Sequence, residues 1–172
     1  YALCRCGASS KSPFCDGTHA KNGFDGTEVA PTDSYRAQRE TYAGEGMTLF
    51  DAKSFCEHSA FCGNKTTNVW KMIPRTGNTE VRSNAIAMVE RCPSGRLTYE
   101  LDGQPVEPDL PIQIAVVKDG PLWVTGGITV ERSDGQPLEV RNRMTFCRCG
   151  ASKNKPFCDG AHAEIGFIEP AA

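Results

Sequence analysis

The chain has 172 residues, of which 39% are hydrophobic, and its formal net charge is −2 at pH 7. This length fits one compact domain or two small ones, and the small charge offers no attraction for nucleic acid or an anionic membrane surface. No apolar run approaches the roughly 18 residues that a membrane span needs, and there is no secretory signal pattern. We therefore expect a cytoplasmic protein that binds neither nucleic acid nor membranes.

Seventeen glycines and 11 prolines favour short elements joined by tight turns. Composition and repeated sequence divide the chain into four segments. We predict a first cysteine motif in residues 1–28, a polar linker in 29–40, a cysteine unit of another kind in 41–103, and a β-strand region ending in a further cysteine motif in 104–172.

Residues 41–103 are predicted to hold two strands and one main helix. The strands lie near Met47–Phe50 and at Leu97–Leu101, and the helix runs from about Glu80 to Arg91, with Thr79 as its N-cap. The helix prediction depends on apolar residues that share one face, namely Val81, Ala85, Met88 and Val89.

Residues 111–146 are predicted to form strands joined by tight turns. The β-branched residues and turn signals place these strands at Pro111–Val117, Leu122–Thr125, Ile128–Glu131 and Leu138–Phe146. The last strand leads directly into Cys147, so the second terminal motif is expected to begin on a strand.

Nine cysteines and three histidines are the most informative residues. An odd cysteine number argues against a full disulfide framework, and unligated thiols at this density would be a hazard in a reducing cytosol. One histidine accompanies each cysteine trio: Cys4, Cys6 and Cys15 with His19; Cys56, Cys62 and Cys92 with His58; and Cys147, Cys149 and Cys158 with His162. Metal or cluster ligation is therefore the first interpretation.

The two terminal trios belong to one repeated motif, in which every matched pair from Cys4 and Cys147 onward is offset by 143 residues. Each copy has the pattern Cys-x-Cys, eight residues, Cys-Asp-Gly-x-His. The two cysteines of Cys-x-Cys project the same way from an extended strand. The third cysteine and the histidine lie four apart, which suits a turn entering a helix. Asp16 and Asp159 are the predicted caps of these two helices.

On these residues both ends resemble the CDGSH iron–sulfur domain family, with Thr18 and Ala161 at its variable position. The resemblance implies a [2Fe-2S] cluster held by three cysteines and one histidine at each end. One iron would bind the first two cysteines, and the other would bind the third cysteine and the histidine. Because the family's domain is usually a homodimer, the two motifs are expected to form a pseudo-twofold pair. The alternative at each end is a zinc site with the same four donors.

The middle unit resembles a single-cluster ferredoxin of the divergent mono-cluster family. Cys56 and Cys62 take the first and third positions of a Cys-x2-Cys-x2-Cys run, Ser59 takes the second, and Cys92 is followed by proline like the remote ligand. Three thiolates suffice for a [3Fe-4S] cluster, which we favour over a [4Fe-4S] cluster with a fourth ligand from Ser59, His58, water or a small molecule. His58 lies one residue off the ferredoxin ligand position, so we do not count it as a ligand. An empty or zinc site is the remaining alternative.

Four other residues are interpreted structurally. Arg5 and Arg148 lie between cluster cysteines and could tune a potential or bind an acidic partner, but solvated charges on the outward strand face are the simpler prediction. Trp70 and Trp123 are predicted to pack in the core.

These features predict an α+β protein, with a small β-rich CDGSH-type fold and a half-ferredoxin-like unit that has one main helix. We find no phosphate-binding glycine loop, Ser-His-Asp set, flavin fingerprint or nicotinamide fingerprint. We therefore expect an electron-transfer protein that is not an enzyme, works with protein redox partners, and is a monomer mimicking the family homodimer. Two alternatives stay open: a cluster donor or redox and pH sensor with labile His19 and His162 ligands, and an enzyme that uses a vacant iron beside Ser59.

Overall fold

The structure is a computed structural model, described for residues 1–170. Those residues form two antiparallel sheets and four α-helices, which confirms the predicted α+β class. The first sheet has the order β1-β2-β3-β4, formed by Glu40–Ala43, Met47–Asp51, Leu97–Leu101 and Gln104–Val106. The second sheet has the order β5-β6-β7, formed by Gln113–Val116, Leu122–Thr125 and Arg143–Phe146. The helices are α1 (Tyr35–Gln38), α2 (Val69–Met72), α3 (Thr79–Glu90) and α4 (Ala161–Glu164).

Helix α3 is the main helix predicted for the middle unit, and it packs against the first sheet. Ala85 and Val89 of α3 lie in a buried apolar cluster with Leu49 of β2 and Leu97 of β3. Their spacing along α3 puts both side chains on the face that meets the sheet. Packing of this face, rather than intrinsic propensity, accounts for most of the stability of a helix of this length.

The start of α3 differs from the prediction that Thr79 is the N-cap. Asn78 is the N-cap, and its side chain accepts hydrogen bonds from the backbone N–H groups of Glu80 and Val81. Threonine and asparagine are both good capping residues. Asn78 holds the extended backbone conformation that a cap needs, whereas Thr79 is already helical.

The other face of the first sheet packs against the second sheet. Leu49 and Phe50 are neighbours in β2, so their side chains point to opposite faces of the sheet. Phe50 lies in a second apolar cluster with Tyr35 of α1, Phe146 of β7 and Phe157 of the C-terminal motif. This shared core joins the middle unit to the sheet that carries the second cysteine motif.

The segment predicted as a linker, residues 29–40, packs along this second cluster. The backbone N–H groups of Val29 and Ala30 both donate to the Lys155 carbonyl. The buried Tyr35 hydroxyl donates to the Arg96 carbonyl over 2.9 Å. These contacts attach the segment after the first motif to both the C-terminal motif and the middle unit.

Three of the four predicted strands in residues 111–146 differ from the structure, the first because β5 covers only Gln113–Val116 of the predicted Pro111–Val117. Strand β7 covers only Arg143–Phe146 of the predicted Leu138–Phe146, and Ile128–Glu131 forms no strand. Gly126 and Gly127 have φ values of +76° and +72°, a left-handed turn that leads the chain out of the sheet after β6. None of the helices described has both the length and the apolar character that a membrane crossing requires.

Candidate metal centres

The N-terminal candidate ligands lie in two pairs around one cavity. Cys4 Sγ and Cys6 Sγ are 3.8 Å apart, and Cys15 Sγ and His19 Nδ1 are 3.4 Å apart. All four side chains line a cavity of about 210 Å³. Two thiolates bound to one tetrahedral metal at about 2.3 Å lie roughly 3.8 Å from each other. The pairing therefore fits the division of ligands between the two irons of a [2Fe-2S] cluster.

The C-terminal candidate ligands repeat this geometry. Cys147 Sγ and Cys149 Sγ are 3.9 Å apart, and Cys158 Sγ and His162 Nδ1 are 3.3 Å apart. Within residues 1–170 no three side chains of the Cys, His, Asp and Glu types converge on a point that one metal ion could occupy. Donors in pairs suit a two-iron cluster better than the zinc alternative, which needs all four on one ion.

Local backbone contacts hold the third cysteine of each motif near the first. The Cys4 N–H donates to the Pro13 carbonyl, and the Cys15 N–H donates to the Ala2 carbonyl. In the C-terminal motif the Cys147 N–H donates to the Pro156 carbonyl in the same way. The Cys-x-Cys segment thus pairs with the returning loop and brings all three thiols to one side.

The predicted helix caps Asp16 and Asp159 are wrong, because Gly17 and Gly160 are the N-caps, but each aspartate stabilises the turn that precedes its helix. Asp16 Oδ1 accepts from the Thr18 N–H at 3.0 Å, and Asp159 Oδ1 accepts from the Ala161 N–H at 3.1 Å. The second carboxylate oxygen of each aspartate accepts from the loop before the third cysteine, so each side chain joins both ends of its ligand loop. The hydrogen bonds with Thr18 are the largest cause of a pKa of Asp16 well below its usual range.

Hydrogen bonds favour the thiolate form of the first cysteine in each motif. Burial acts to raise the pKa of Cys4, but the N–H groups of Ser9, Cys6 and Gly7 outweigh it, and the pKa is lowered. The hydrogen bond with Cys149 lowers the pKa of Cys147 to about 6. N–H groups pointing at a thiolate sulfur are an arrangement that suits anionic cluster ligands.

The two terminal sites are in direct contact through their Cys-x-Cys segments. Cys6 and Cys149 form an antiparallel bridge. A Cβ built on Gly7 would lie 2.7 Å from the Cys149 carbonyl oxygen, and one built on Gly150 would lie 2.9 Å from the Cys6 carbonyl oxygen. The reciprocal contacts are those expected of a pseudo-twofold pair, and they require glycine at both positions.

Arg5 and Arg148 are not the solvated charges that the sequence predicts. Arg5 is partly buried and donates to the Cys147 carbonyl and, over 3.0 Å, to the Pro156 carbonyl of the other motif. The Arg148 side chain is only 1% exposed, and it donates to the Gly120 carbonyl and pairs with Glu169. The error arises because alternation along a strand assigns these residues to an outward face, and that face is covered by the other motif and by the chain around Gly120.

The middle site brings its three cysteines to one cavity of about 170 Å³. Cys56, Cys62 and Cys92 all line it, together with His58 and Ser59. Both residues considered as a fourth ligand are thus present at the cavity. His58 has a φ of +61°, a strained conformation for a residue with a Cβ.

Arg96 is a residue of the middle site that sequence analysis missed. It lines the same cavity, and its guanidinium donates to Cys56 Sγ over 3.0 Å. The buried carboxylate of Asp51 holds it from behind with contacts of 2.6 and 2.8 Å, and Asp51 also accepts from the Trp70 ring N–H. Nothing in the ligand spacing indicates Arg96, because it lies just before β3 and 40 positions from Cys56 along the chain.

The middle unit covers the C-terminal site and leaves the N-terminal site open. A Cβ built on Gly160 would lie 2.9 Å from the Glu57 carbonyl oxygen, whereas one built on the matching Gly17 would meet nothing within 4 Å. Among the described residues, His19 is exposed while its counterpart His162 is partly buried. Two nearly identical motifs therefore lie in different surroundings.

Comparison with family models agrees with this arrangement. Residues 1–20 and 119–163 match the model described as iron-binding zinc finger CDGSH type, and residues 42–102 match the model described as divergent 4Fe-4S mono-cluster. A search of curated proteins finds no match. The chain is thus an iron–sulfur protein in which two CDGSH-type segments flank a divergent mono-cluster segment, which confirms both resemblances.

Proposed function

We propose that this protein is an electron carrier with three clusters in series: N-terminal, C-terminal and middle. Each bound cluster would accept and release electrons one at a time. The observation that carries the proposal is the position of the C-terminal site, whose ligand loops touch both other sites. A [2Fe-2S] cluster at each end and a three-thiolate cluster in the middle are part of the proposal.

The first contact of the series supports exchange between the two terminal sites. Cys6 and Cys149 are candidate ligands of the two terminal sites, and their backbones form an antiparallel β-bridge with each other. Arg5 adds a hydrogen bond from the N-terminal motif to the carbonyl of Cys147, which is itself a candidate ligand. Covalent and hydrogen-bonded paths of a few atoms thus join the two sets of ligands.

The second contact supports exchange between the C-terminal and middle sites. Gly160 lies between the ligands Cys158 and His162, and it packs on the backbone of Glu57, which follows the ligand Cys56. The C-terminal cluster would therefore be the internal relay. The exposed N-terminal site would be one end at which a redox partner docks, and the middle site would be the other.

The type of the middle cluster is a separate part of the proposal. Three cysteines by themselves supply the ligands of a [3Fe-4S] cluster, which we propose. His58 and Ser59 line the same cavity, so either residue, water or a small molecule is the donor that a [4Fe-4S] cluster would need. Iron analysis separates the two, since the whole chain would hold about seven irons in the first case and about eight in the second.

A second candidate function, cluster donation, is favoured by the exposure of one site. Solvent and an acceptor protein reach exposed His19 more freely than partly buried His162, so the His19 ligand would be displaced more easily. A cluster donated by loss of the exposed His19 ligand would come from the N-terminal site alone. Donation and electron transfer are thus distinguishable site by site.

Redox titration followed by EPR tests the main proposal. We expect three centres to be reduced, and the C-terminal centre to exchange electrons with both others after rapid mixing with a reductant. Absence of reducible centres in a biologically accessible range would refute electron transfer. Mixing the holo protein with an apo acceptor tests donation, for which His19→Cys should slow transfer and His162→Cys should not. Light scattering of the holo protein tests our further proposal that the chain is a monomer.

A further inference from the structure

A cavity of about 510 Å³ lies between the middle unit and the C-terminal motif, apart from the cavities that gather the cysteines. This volume lies within the usual range for small-molecule sites. Most of its wall is apolar and is formed by Phe61, Pro93, Leu110, Val117, Pro121 and Trp123. His162, the candidate ligand of the C-terminal site, forms part of its edge.

Two buried polar side chains in the wall of this cavity lack hydrogen-bond partners. Glu57 is 8% exposed and Thr145 is 2% exposed, and both line the cavity. Within residues 1–170, Glu57 Oε2 and Thr145 Oγ1 form no hydrogen bond. Thr145 lies close to Glu57, and burial raises the pKa of the Glu57 carboxyl. Leaving such groups unpaired costs about 1–3 kcal/mol each, so a native structure with two in one wall calls for an explanation.

We infer that this cavity binds a planar aromatic molecule that carries one hydroxyl group. A hydroxyl has one donor and two acceptor positions, so it can donate to the Glu57 carboxylate and accept from the Thr145 hydroxyl. The aromatic body would lie against the apolar wall, where Trp123 and Phe61 offer large flat surfaces. This site goes beyond electron transfer and does not depend on it.

The test uses β-naphthol and its methyl ether as probes of equal ring size, titrated into the holo protein by calorimetry. We expect one saturable site for β-naphthol and about tenfold weaker binding of the ether, which cannot donate to Glu57. Thr145→Val removes a hydroxyl without changing side-chain shape, and it should weaken β-naphthol binding about three- to tenfold. Thr129→Val, at an exposed position outside the cavity, is the matched control and should bind normally.

Spectroscopy provides a second readout that uses the repeat as an internal reference. Bound β-naphthol should alter the EPR signal of the C-terminal cluster, because His162 borders the cavity, and leave the N-terminal signal unchanged. No saturable binding, equal binding of the ether, or an unaltered affinity in Thr145→Val would each overturn the inference. These results would not affect the redox titration, which tests electron transfer. Loss of reducible centres would count against electron transfer and not against this binding site.

Discussion

Replacing Gly160 by alanine tests the contact between the C-terminal site and the middle unit. Gly160 has a φ of +87°, a left-handed conformation that costs an alanine roughly 1–2 kcal/mol. The new Cβ would also lie 2.9 Å from the Glu57 carbonyl oxygen and 3.3 Å from His58 Cβ. The first distance is shorter than any relaxed contact, so one of the two backbone segments must move.

Gly17 provides the matched control, since it holds the same position in the N-terminal motif. Its φ is +85°, so alanine meets the same backbone cost there, but nothing lies within 4 Å of the added Cβ. The difference between the two variants therefore isolates the contact with the middle unit. Overpacking of this kind costs about 1–3 kcal/mol, and 1 kcal/mol shifts the unfolding temperature of such a chain by about 2–4 °C. Gly160→Ala should unfold about 2–12 °C below Gly17→Ala.

Thermal unfolding of the two holo variants, followed by circular dichroism and by bleaching of the visible cluster absorption, measures this difference. Electron exchange between the middle and C-terminal centres after rapid mixing is the functional readout, and only Gly160→Ala should slow it. Equal unfolding temperatures, or a larger loss in Gly17→Ala, would mean that the middle unit does not press on Gly160 in solution. The serial arrangement of the sites would then lose its second contact.

Three further substitutions test individual parts of the sites. Arg96→Gln should lower the potential of the middle cluster alone by roughly 100 mV, the order of the Coulomb energy of one positive charge a few ångströms away at a dielectric constant of about 20, because Asp51 stays in place and only the guanidinium that donates to Cys56 Sγ is lost. An unchanged potential in the EPR titration would refute this role. Arg143→Met should destabilise the chain by about 2–4 kcal/mol in thermal unfolding, because buried Arg143 donates to the carbonyls of three residues of the middle unit. Arg91 is exposed, so Arg91→Met is the control and should change the stability little. His162→Cys puts a thiolate in place of a neutral imidazole and should lower the potential of the C-terminal cluster by on the order of 100 mV; a shift in the N-terminal signal instead would show that the ligands are misassigned.

Local sequence was sufficient for the parts of the fold and site that depend on local geometry. Strand β3 and strand β6 have the predicted bounds, because each is a short β-rich run closed by turn residues. The pairs Cys4 with Cys6 and Cys15 with His19 are close in sequence, so strand and turn geometry brings each pair together wherever the segment lies. Asp16 also acts locally, since it accepts from a backbone N–H only two residues away, although Gly17 and not Asp16 is the N-cap of the helix that follows.

Contacts between distant segments could not be predicted in this way. Arg96 reaches Cys56 from 40 positions along the chain, and Arg5 reaches Cys147 from 142 positions. No spacing rule connects such residues, because their meeting depends on how two packed units are placed. The incorrect assignment of Arg148 to a solvated face has the same origin, since alternation identifies the face of a strand but not what covers it.

The asymmetry between the two motifs follows from the unit inserted between them. A repeat with a constant offset predicts two equal sites, and within each motif the distances are indeed nearly equal: 3.8 and 3.9 Å for the cysteine pairs, and 3.4 and 3.3 Å for the cysteine–histidine pairs. The middle unit packs on Gly160 and leaves Gly17 free, so burial differs although the ligands do not. Because burial and hydrogen bonding set the potential and the lability of a cluster, unequal covering of a repeated motif is sufficient to give one chain an open site and a covered site with the same candidate ligands.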